Sequence, residues 1–454
     1  MLHVLVSWFR RVCRSCLERF RRRPRRAFLI AAICALVVAA ASPFLWAGYH
    51  WFAGQYALKH YHHLEAYAHL SQCLKVWPWS RSVQAHVLAA RAARRDGDFM
   101  EAFRLLQEVQ STLGDNSSHT LFEWALLQAA GGDLNKVEKH LRDWANAEDP
   151  KQLPLILEAL AVGYLRWSRV GQALQCVNEW LSRDPDNVEA LFLRSSIFRQ
   201  SGTWTKVAPD LRRVVELEPE RPWARWWLAV ALVNIGRYEE AMNHLEVLRQ
   251  RTPAYMDKTD VLVRLAICRQ RMGRNREARE LLDEVLAEHP NHGLALLTRG
   301  QIDQVNGQLE QAETWLRRAA EVLPYDYKTH WALTECLRQE GKTEEAQTEE
   351  AYANRLKDRW ERYSEIASHQ LTQRPNDPDL YCEMGKLMLE LGNPEGAKNW
   401  FVNALLVDPQ CVAAINALAD YYTKQGDLAT AEDFRRQAQE SMSQQTQARN
   451  AHAR

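Results

Sequence analysis

The sequence lacks every catalytic signature that a short motif can announce. Among its 454 residues there is no phosphate-cradling GxxxxGK, no HExxH and no GxSxG. The one glycine-rich stretch, Gly392-Asn393-Pro394-Glu395-Gly396-Ala397-Lys398, lacks the spacing of a phosphate loop. The expectation is a protein that is not an enzyme and takes no cofactor. Alternation with period two, the mark of a half-buried strand, is missing over any useful length. Acid is almost missing from residues 1–26, where Glu18 stands alone against nine arginines. Charge of either sign is missing from residues 27–49, AFLIAAICALVVAAASPFLWAGY. Glycine and proline are missing from residues 342–373. Each gap excludes something and points to something else.

With 46% hydrophobic and 25% charged residues, the chain is no disordered polymer. Its formal net charge of +1 hides an asymmetry. Beyond residue 26 it carries 49 basic residues against 56 acidic ones. A basic end joined to a mildly acidic body argues against nucleic acid as a partner of the body.

The uncharged stretch 27–49 is 23 residues long, about 34 Å as a helix, which suits the hydrocarbon thickness of a bilayer. Trp46, Tyr49 and Trp51 stand where an aromatic belt marks the far interface. Arginines crowd one flank only. The positive-inside rule therefore predicts a single-pass span with residues 1–26 cytoplasmic and the rest extracytoplasmic. A cleaved signal peptide, with Ala39-Ala40-Ala41 as the small-residue site, and a twin-arginine export signal at Arg25-Arg26 are the alternatives. Within 1–26, Leu2, Leu5, Phe9, Val12, Cys16 and Phe20 fall on one helical face among arginines. That spacing predicts a basic amphipathic segment on an anionic leaflet.

The rest of the chain keeps time. Glycine recurs at 202, 236, 273, 307, 341, 392 and 426, and proline at 185, 219, 253, 290, 324, 375 and 409. Both series step by 34 residues with the same irregularities, one step of 37 and one of 51. Small residues precede most of the glycines by seven (Ser195, Ala229, Ala266, Gly300, Gly385, Ala419) and follow them by five (Ala241, Ala278, Ala312, Ala346, Ala397, Ala431). The glycine permits the turn that ends one helix, the small residues let two antiparallel helices approach, and the proline stops the second helix.

This pattern resembles the tetratricopeptide repeat, a helix–turn–helix unit of 34 residues. Residues 378–409 match best, with Tyr381, Met384-Gly385, Met388, Ala397, Phe401 and Pro409; residues 294–324 follow with Leu296, Gly300, Ala312, Leu316 and Pro324. Weaker units are marked by Gly97, Gly132, Gly171 and Ala66. The resemblance implies an all-α, right-handed superhelical α-solenoid of about eleven repeats over residues 50–443, regular from 186 onward, preceded by one transmembrane helix. A membrane-anchored protein of bacterial type is the expectation. Residues 444–454 lack an apolar face and are expected to be disordered. The step of 51 predicts one helix of about 30 residues over 342–373, a spacer or a docking arm, with Leu356, Trp360, Tyr363, Ala367 and Leu371 on its apolar side.

In proteins of this kind the first helix of each unit faces a concave surface. Residues thirteen, ten, six, three and two before each turn glycine point into it. Those offsets select Arg91, Arg94, Arg95, Arg199, Trp223, Trp226, Asn234, Arg271, Gln301, Gln304, Trp331, Arg338 and Lys386, among others. Tryptophan and arginine are the common anchors of interfaces. The polar clamp with which some such repeats hold a carboxyl-terminal peptide is not expected, because Phe192, Trp226, Val263 and Trp331 fill its positions. His62, Glu65 and His69 offer metal ligands at helical spacing, but Ala66 places His62 in a turn, so no metal site is expected. Cys13 and Cys16 lack a second pair. Cys176, Cys268 and Cys336 fall at core positions, where a thiol behaves as a small hydrophobe.

The expected function is a membrane-anchored scaffold that binds other proteins in the solenoid's concave surface, in envelope assembly or complex organisation. A self-assembling protein that forms homo-oligomers through the 342–373 helix and a carbohydrate-binding solenoid are the alternatives.

Overall fold

The protein was analysed as a computed structural model, which describes residues 24–76, 79–147, 152–167, 169–200, 202–253, 256–374 and 376–452. Every regular element among them is helical. The basic segment expected at 1–26, with Cys13 and Cys16, lies almost wholly outside the described residues, as do Pro78 and Pro375.

Turn glycines explain why the helices come in pairs. Gly236 sits at φ 79°, a conformation that costs a residue with a Cβ. Its amide donates to the Val233 carbonyl at 3.2 Å and that of Arg237 to the Leu232 carbonyl at 2.8 Å, closing one helix before the next begins. Gly97, Gly132, Gly202, Gly273, Gly307, Gly341, Gly392 and Gly426 repeat the positive φ. Side-chain caps start many of the helices: Asp98, Asp326 and Asn393 accept from the backbone amides of Glu101, Thr329 and Gly396.

The chain divides into two compact units, Met1–Glu148 and Asp149–Arg454. The solenoid expected over 50–443 falls in both. The division falls in 148–151, outside the described residues.

The first unit pairs α1 (Pro24–Lys59) with α2 (His63–Cys73), α3 (Val83–Asp96) with α4 (Phe99–Ser111), and α5 (Ser118–Gly131) with α6 (Leu134–Ala147). Its core gathers Ala57, Leu58, Leu70, Ala90 and Leu106. Helix α1 has 36 residues, about 54 Å, and carries Pro43 within it. It runs without a break from the expected span into the first hairpin, so residues 50–59 continue the same rod instead of opening a new domain. Among the described residues no helix is long and apolar enough to cross a membrane. The side chains of 24–35 and 38, much of the stretch 27–49, lie outside those residues.

The second unit contains eight further hairpins. They are α7 (Leu153–Arg166) with α8 (Val170–Arg183), α9 (Val188–Gln200) with α10 (Trp204–Leu217), α11 (Pro222–Asn234) with α12 (Tyr238–Gln250), and α13 (Lys258–Arg271) with α14 (Asn275–Glu288). Then follow α15 (Gly293–Val305) with α16 (Leu309–Val322), α17 (Tyr327–Gln339) with α18 (residues 343–373), α19 (Pro378–Glu390) with α20 (Pro394–Val407), and α21 (Val412–Lys424) with α22 (Leu428–His452). First helices pack on the first helices of the next hairpin, α11 on α13, α13 on α15 and α15 on α17, so one row of them forms a continuous wall. Close approach falls where small residues stand: a Cβ built on Gly385 would lie 2.3 Å from Phe401 Cε1, and one on Gly300 2.6 Å from Leu316 Cγ. Helix α22 continues to His452 where a disordered tail was expected from 444.

Helix α18 is the double-length element. It is α-helical over Thr343–Glu365, makes a π turn over Ile366–Gln370 and ends with Leu371–Gln373. Its two halves belong to different cores. Ala346 packs into the cluster that runs back to Val207, whereas Leu356, Ile366 and Leu371 pack with Tyr381, Met384 and Phe401. The helix is thus a spacer that joins two blocks. The Leu371 amide donates to the Ile366 carbonyl, an i to i+5 bond that widens the turn by one residue. That insertion brings Ile366 into the core, while Trp360 of the expected apolar side stays 41% exposed. The last turn, Leu371–Gln373, lies against α8, so this unit curves back on itself around its inner wall.

Candidate partner-binding groove

The inner wall of the second unit encloses a cavity of about 720 Å³. Asn234, Arg271, Gln301 and Trp331 of the expected concave residues line it, one from each of α11, α13, α15 and α17. The repeat brings together residues up to 97 positions apart because each first helix presents the same face to the same side. Val233, Ile267, Gln270, Leu294, Leu297 and Lys328 obey the same offsets and also line the cavity. Arg264, Tyr238 and Lys357 line it without obeying them. Arg264 stands nine before Gly273. Val263, at the expected ten, is instead buried in the core at 1% exposure, while Thr298 and Ala332, each nine before its own turn glycine, line the cavity as Arg264 does. Lys357 reaches the groove from α18, whose extra length carries it there.

Aromatic and cationic groups meet along this wall. The Arg264 guanidinium lies 6.0 Å from the centre of the Trp226 ring. Burial disfavours its charge and pulls its pKa down, while the Asp260 carboxylate works in the opposite direction. Asn234 donates to the Val230 carbonyl at 2.8 Å, and Gln270 donates to Gln301 at 3.5 Å. Trp331 is half-buried and lines the cavity.

The remaining expected residues sit elsewhere. Arg199 stacks on Trp227 at 3.6 Å, and Trp223 packs on Phe192 with ring centres 4.1 Å apart. Gln304 is half-buried one turn beyond Gln301, and Lys386 is exposed on α19. Arg338 is tied to Glu350 of α18 at 2.5 Å. In the first unit, Arg91 makes two bonds to Glu123, at 2.8 and 3.0 Å, and Arg94 reaches the same carboxylate at 3.4 Å. Glu123 is 1% exposed: burial would raise its pKa, but Arg91 and Arg94 outweigh this and hold it below the usual carboxylate range. Arg95 donates to the Leu58 carbonyl at 3.3 Å and lies over the Tyr61 ring. These three arginines are engaged in holding their own unit together.

The histidines do not converge. His62 bonds to Glu65 at 3.2 Å, whereas His69 meets His50 at 2.8 Å, and no group of three metal-binding side chains occurs among the described residues. Cys176, Cys268 and Cys336 are buried, and burial pushes the thiols of Cys268 and Cys336 up to about 12 and about 11.

Comparison with known proteins bears on the repeat directly. Residues 270–328 and 382–445 match models of the tetratricopeptide repeat, so the chain carries such repeats. Residues 151–298 match a model described as the N-terminal domain of the ESX-1 type VII secretion system protein EccA1. Among curated proteins, the chain is 21% identical over 290 residues to a DnaJ subfamily C member 7 homologue of Schizosaccharomyces pombe, covering 60% of each. It is 24% identical over 212 residues to DnaJ homologue subfamily C member 3 of Rattus norvegicus, covering 47% of this chain and 37% of that one. The chain thus spans only part of these relatives. A solved tetratricopeptide repeat protein of Parabacteroides merdae is 18% identical, covers 56% of this chain and 98% of its own, and superposes with a TM-score of 0.34.

Proposed function

We propose that this protein is a membrane-anchored scaffold that holds a segment of another protein in the groove of its second unit. One observation carries the reading: four consecutive hairpins place Asn234, Arg271, Gln301 and Trp331 around one cavity of about 720 Å³. An apolar floor with a few convergent polar groups and a half-buried tryptophan is the composition of a recognition site. Tetratricopeptide repeats supply the extended inner surface on which such a site can be built.

The anchor is residues 27–49, with residues 1–26 on the cytoplasmic side and the solenoid from residue 50 onward on the extracytoplasmic side. Support comes from the uncharged 23-residue stretch and its one-sided arginines. It also comes from the part of α1 whose side chains are described, where Leu36, Val37, Phe44, Leu45, Trp46 and Tyr49 are between 43% and 73% exposed. A large exposed apolar surface of that kind calls for a covering. A role in envelope assembly or complex organisation belongs to the same proposal.

The test is crosslinking in native membranes with the wild-type chain and with Trp226→Ala/Trp331→Ala. The double variant should keep its helicity by circular dichroism and lose most of the crosslinked partner. Undiminished crosslinking refutes the groove. Alkaline extraction tests the anchor: the full chain should stay with the membrane, and release into the wash refutes it.

A further inference from the structure

We propose that the groove's occupant is an acidic, extended peptide segment, recognised by cations that the fold leaves unpaired. This rests on the reading of the groove as the binding surface.

Sixteen residues line the cavity, and none is Asp or Glu, whereas four are Arg264, Arg271, Lys328 and Lys357. Beyond residue 26 the chain holds more acid than base, so a lining with four cations and no carboxylate is a segregation of charge. Other cations of the same hairpins are answered. Arg299 pairs with Asp283 and Asp303, Arg279 with Asp303, Arg269 with Glu246 and Arg317 with Glu345. Arg264, Arg271 and Lys328 make no ion pair among the described residues. Lys357 meets only the exposed Glu361, at 3.6 Å, a contact on an open helix face that a ligand can displace. Arg264 is half-buried, and a guanidinium withdrawn from water without a bonded counter-charge is costly. An anion in the groove supplies that counter-charge.

The rest of the lining favours peptide over another polyanion. Asn234, Gln270 and Gln301 offer amides that both donate and accept, as peptide groups require. Ile267, Leu294 and Leu297 give apolar floor between the cations, which suits a strand whose side chains alternate. A cavity of about 720 Å³ admits a few residues of chain and no folded domain. The excess of acid outside the groove repels a long polyanion such as RNA while leaving a short acidic segment free to enter.

The experiment is selection of a phage-displayed random dodecapeptide library on the full chain in detergent, with single winners then measured by fluorescence anisotropy. A 12-nucleotide single-stranded RNA runs beside them. The expected winners are rich in Asp and Glu and lose at least tenfold in affinity in Arg271→Glu/Lys328→Glu and in Trp331→Ala. Their affinity should also fall as salt rises from 50 to 300 mM. Both cations are exposed, so that variant should fold, with helicity as the control. Winners that are neutral or basic but still lost in Trp331→Ala overturn the charge assignment and leave the groove reading standing. Winners unaffected by Trp331→Ala, or no winners at all, overturn both. RNA binding more tightly than every peptide assigns the groove to nucleic acid and overturns the proposal.

Discussion

Replacing Gly385 with alanine sets two effects against each other, and the structure decides the sign. Gly385 lies inside α19, where alanine is the better helix former by about 1 kcal/mol. Its new Cβ, however, falls 2.3 Å from Phe401 Cε1 and 2.7 Å from Cδ1 and Cζ, on a ring only 1% exposed and packed on all sides. Overfilling such a site costs typically 1–3 kcal/mol, because a planar ring cannot fold out of the way. The net expectation is destabilisation by up to about 2 kcal/mol, read as a fall of a few degrees in the melting of the second unit. Phe401→Leu frees the space at its own cost of about 1 kcal/mol. The double variant Gly385→Ala/Phe401→Leu should therefore lose less than the two single changes added together, with a coupling of about 1 kcal/mol. Calorimetry of the four proteins in one detergent settles it. A Gly385→Ala chain that melts above the wild type, as helix propensity alone dictates, refutes the view that close approach requires glycine there.

Glu123→Gln leaves Arg91 and Arg94 beside a neutral amide in a buried site, and should destabilise the first unit by about 3 kcal/mol; a melt shifted by less than a degree contradicts this. The Glu123 pKa is depressed in the folded state, so its stabilisation is present above the unfolded value near 4.5 and disappears as pH falls through the folded one. His330 works in reverse. Burial lowers its pKa, but Glu349 and the Pro324 carbonyl overcome that and raise it. Its stabilisation should be full below pH 6.5 and fade as pH rises through the raised value, so the melting difference between wild type and His330→Gln should shrink from pH 6 to 9; a constant difference sinks the assignment. Because the buried residues of α18 are taken up by two cores along its length, light scattering on the full chain in detergent should give a monomer, whereas an oligomer dissolved by Trp360→Arg would restore self-assembly through that helix.

Much of the architecture was legible in the chain because it depends on local chemistry repeated many times. A glycine, a small residue and a proline at constant intervals specify where each helix stops and which face must pack, and eleven hairpins follow. Three features were not legible. The division after Glu148 is marked by no motif. The π turn at Ile366–Gln370 arises because α18 must serve two cores whose phases differ, and only the assembled unit reveals that mismatch. The partner of Arg91 and Arg94 lies 29–32 residues away on the next hairpin, so spacing could mark them as inward-facing but not as neutralised. In the groove the offset rule located Asn234, Arg271, Gln301 and Trp331, and missed Arg264 because it omits the position nine before the turn glycine, from which Thr298 and Ala332 also reach the cavity.

A photocrosslinking residue placed at Gln301, in the groove, and separately at Arg276, 93% exposed on α14, tests the central claim most directly. The account predicts that the same partner attaches from position 301 and not from position 276, in native membranes. Equal attachment from both, or attachment from 276 alone, contradicts it.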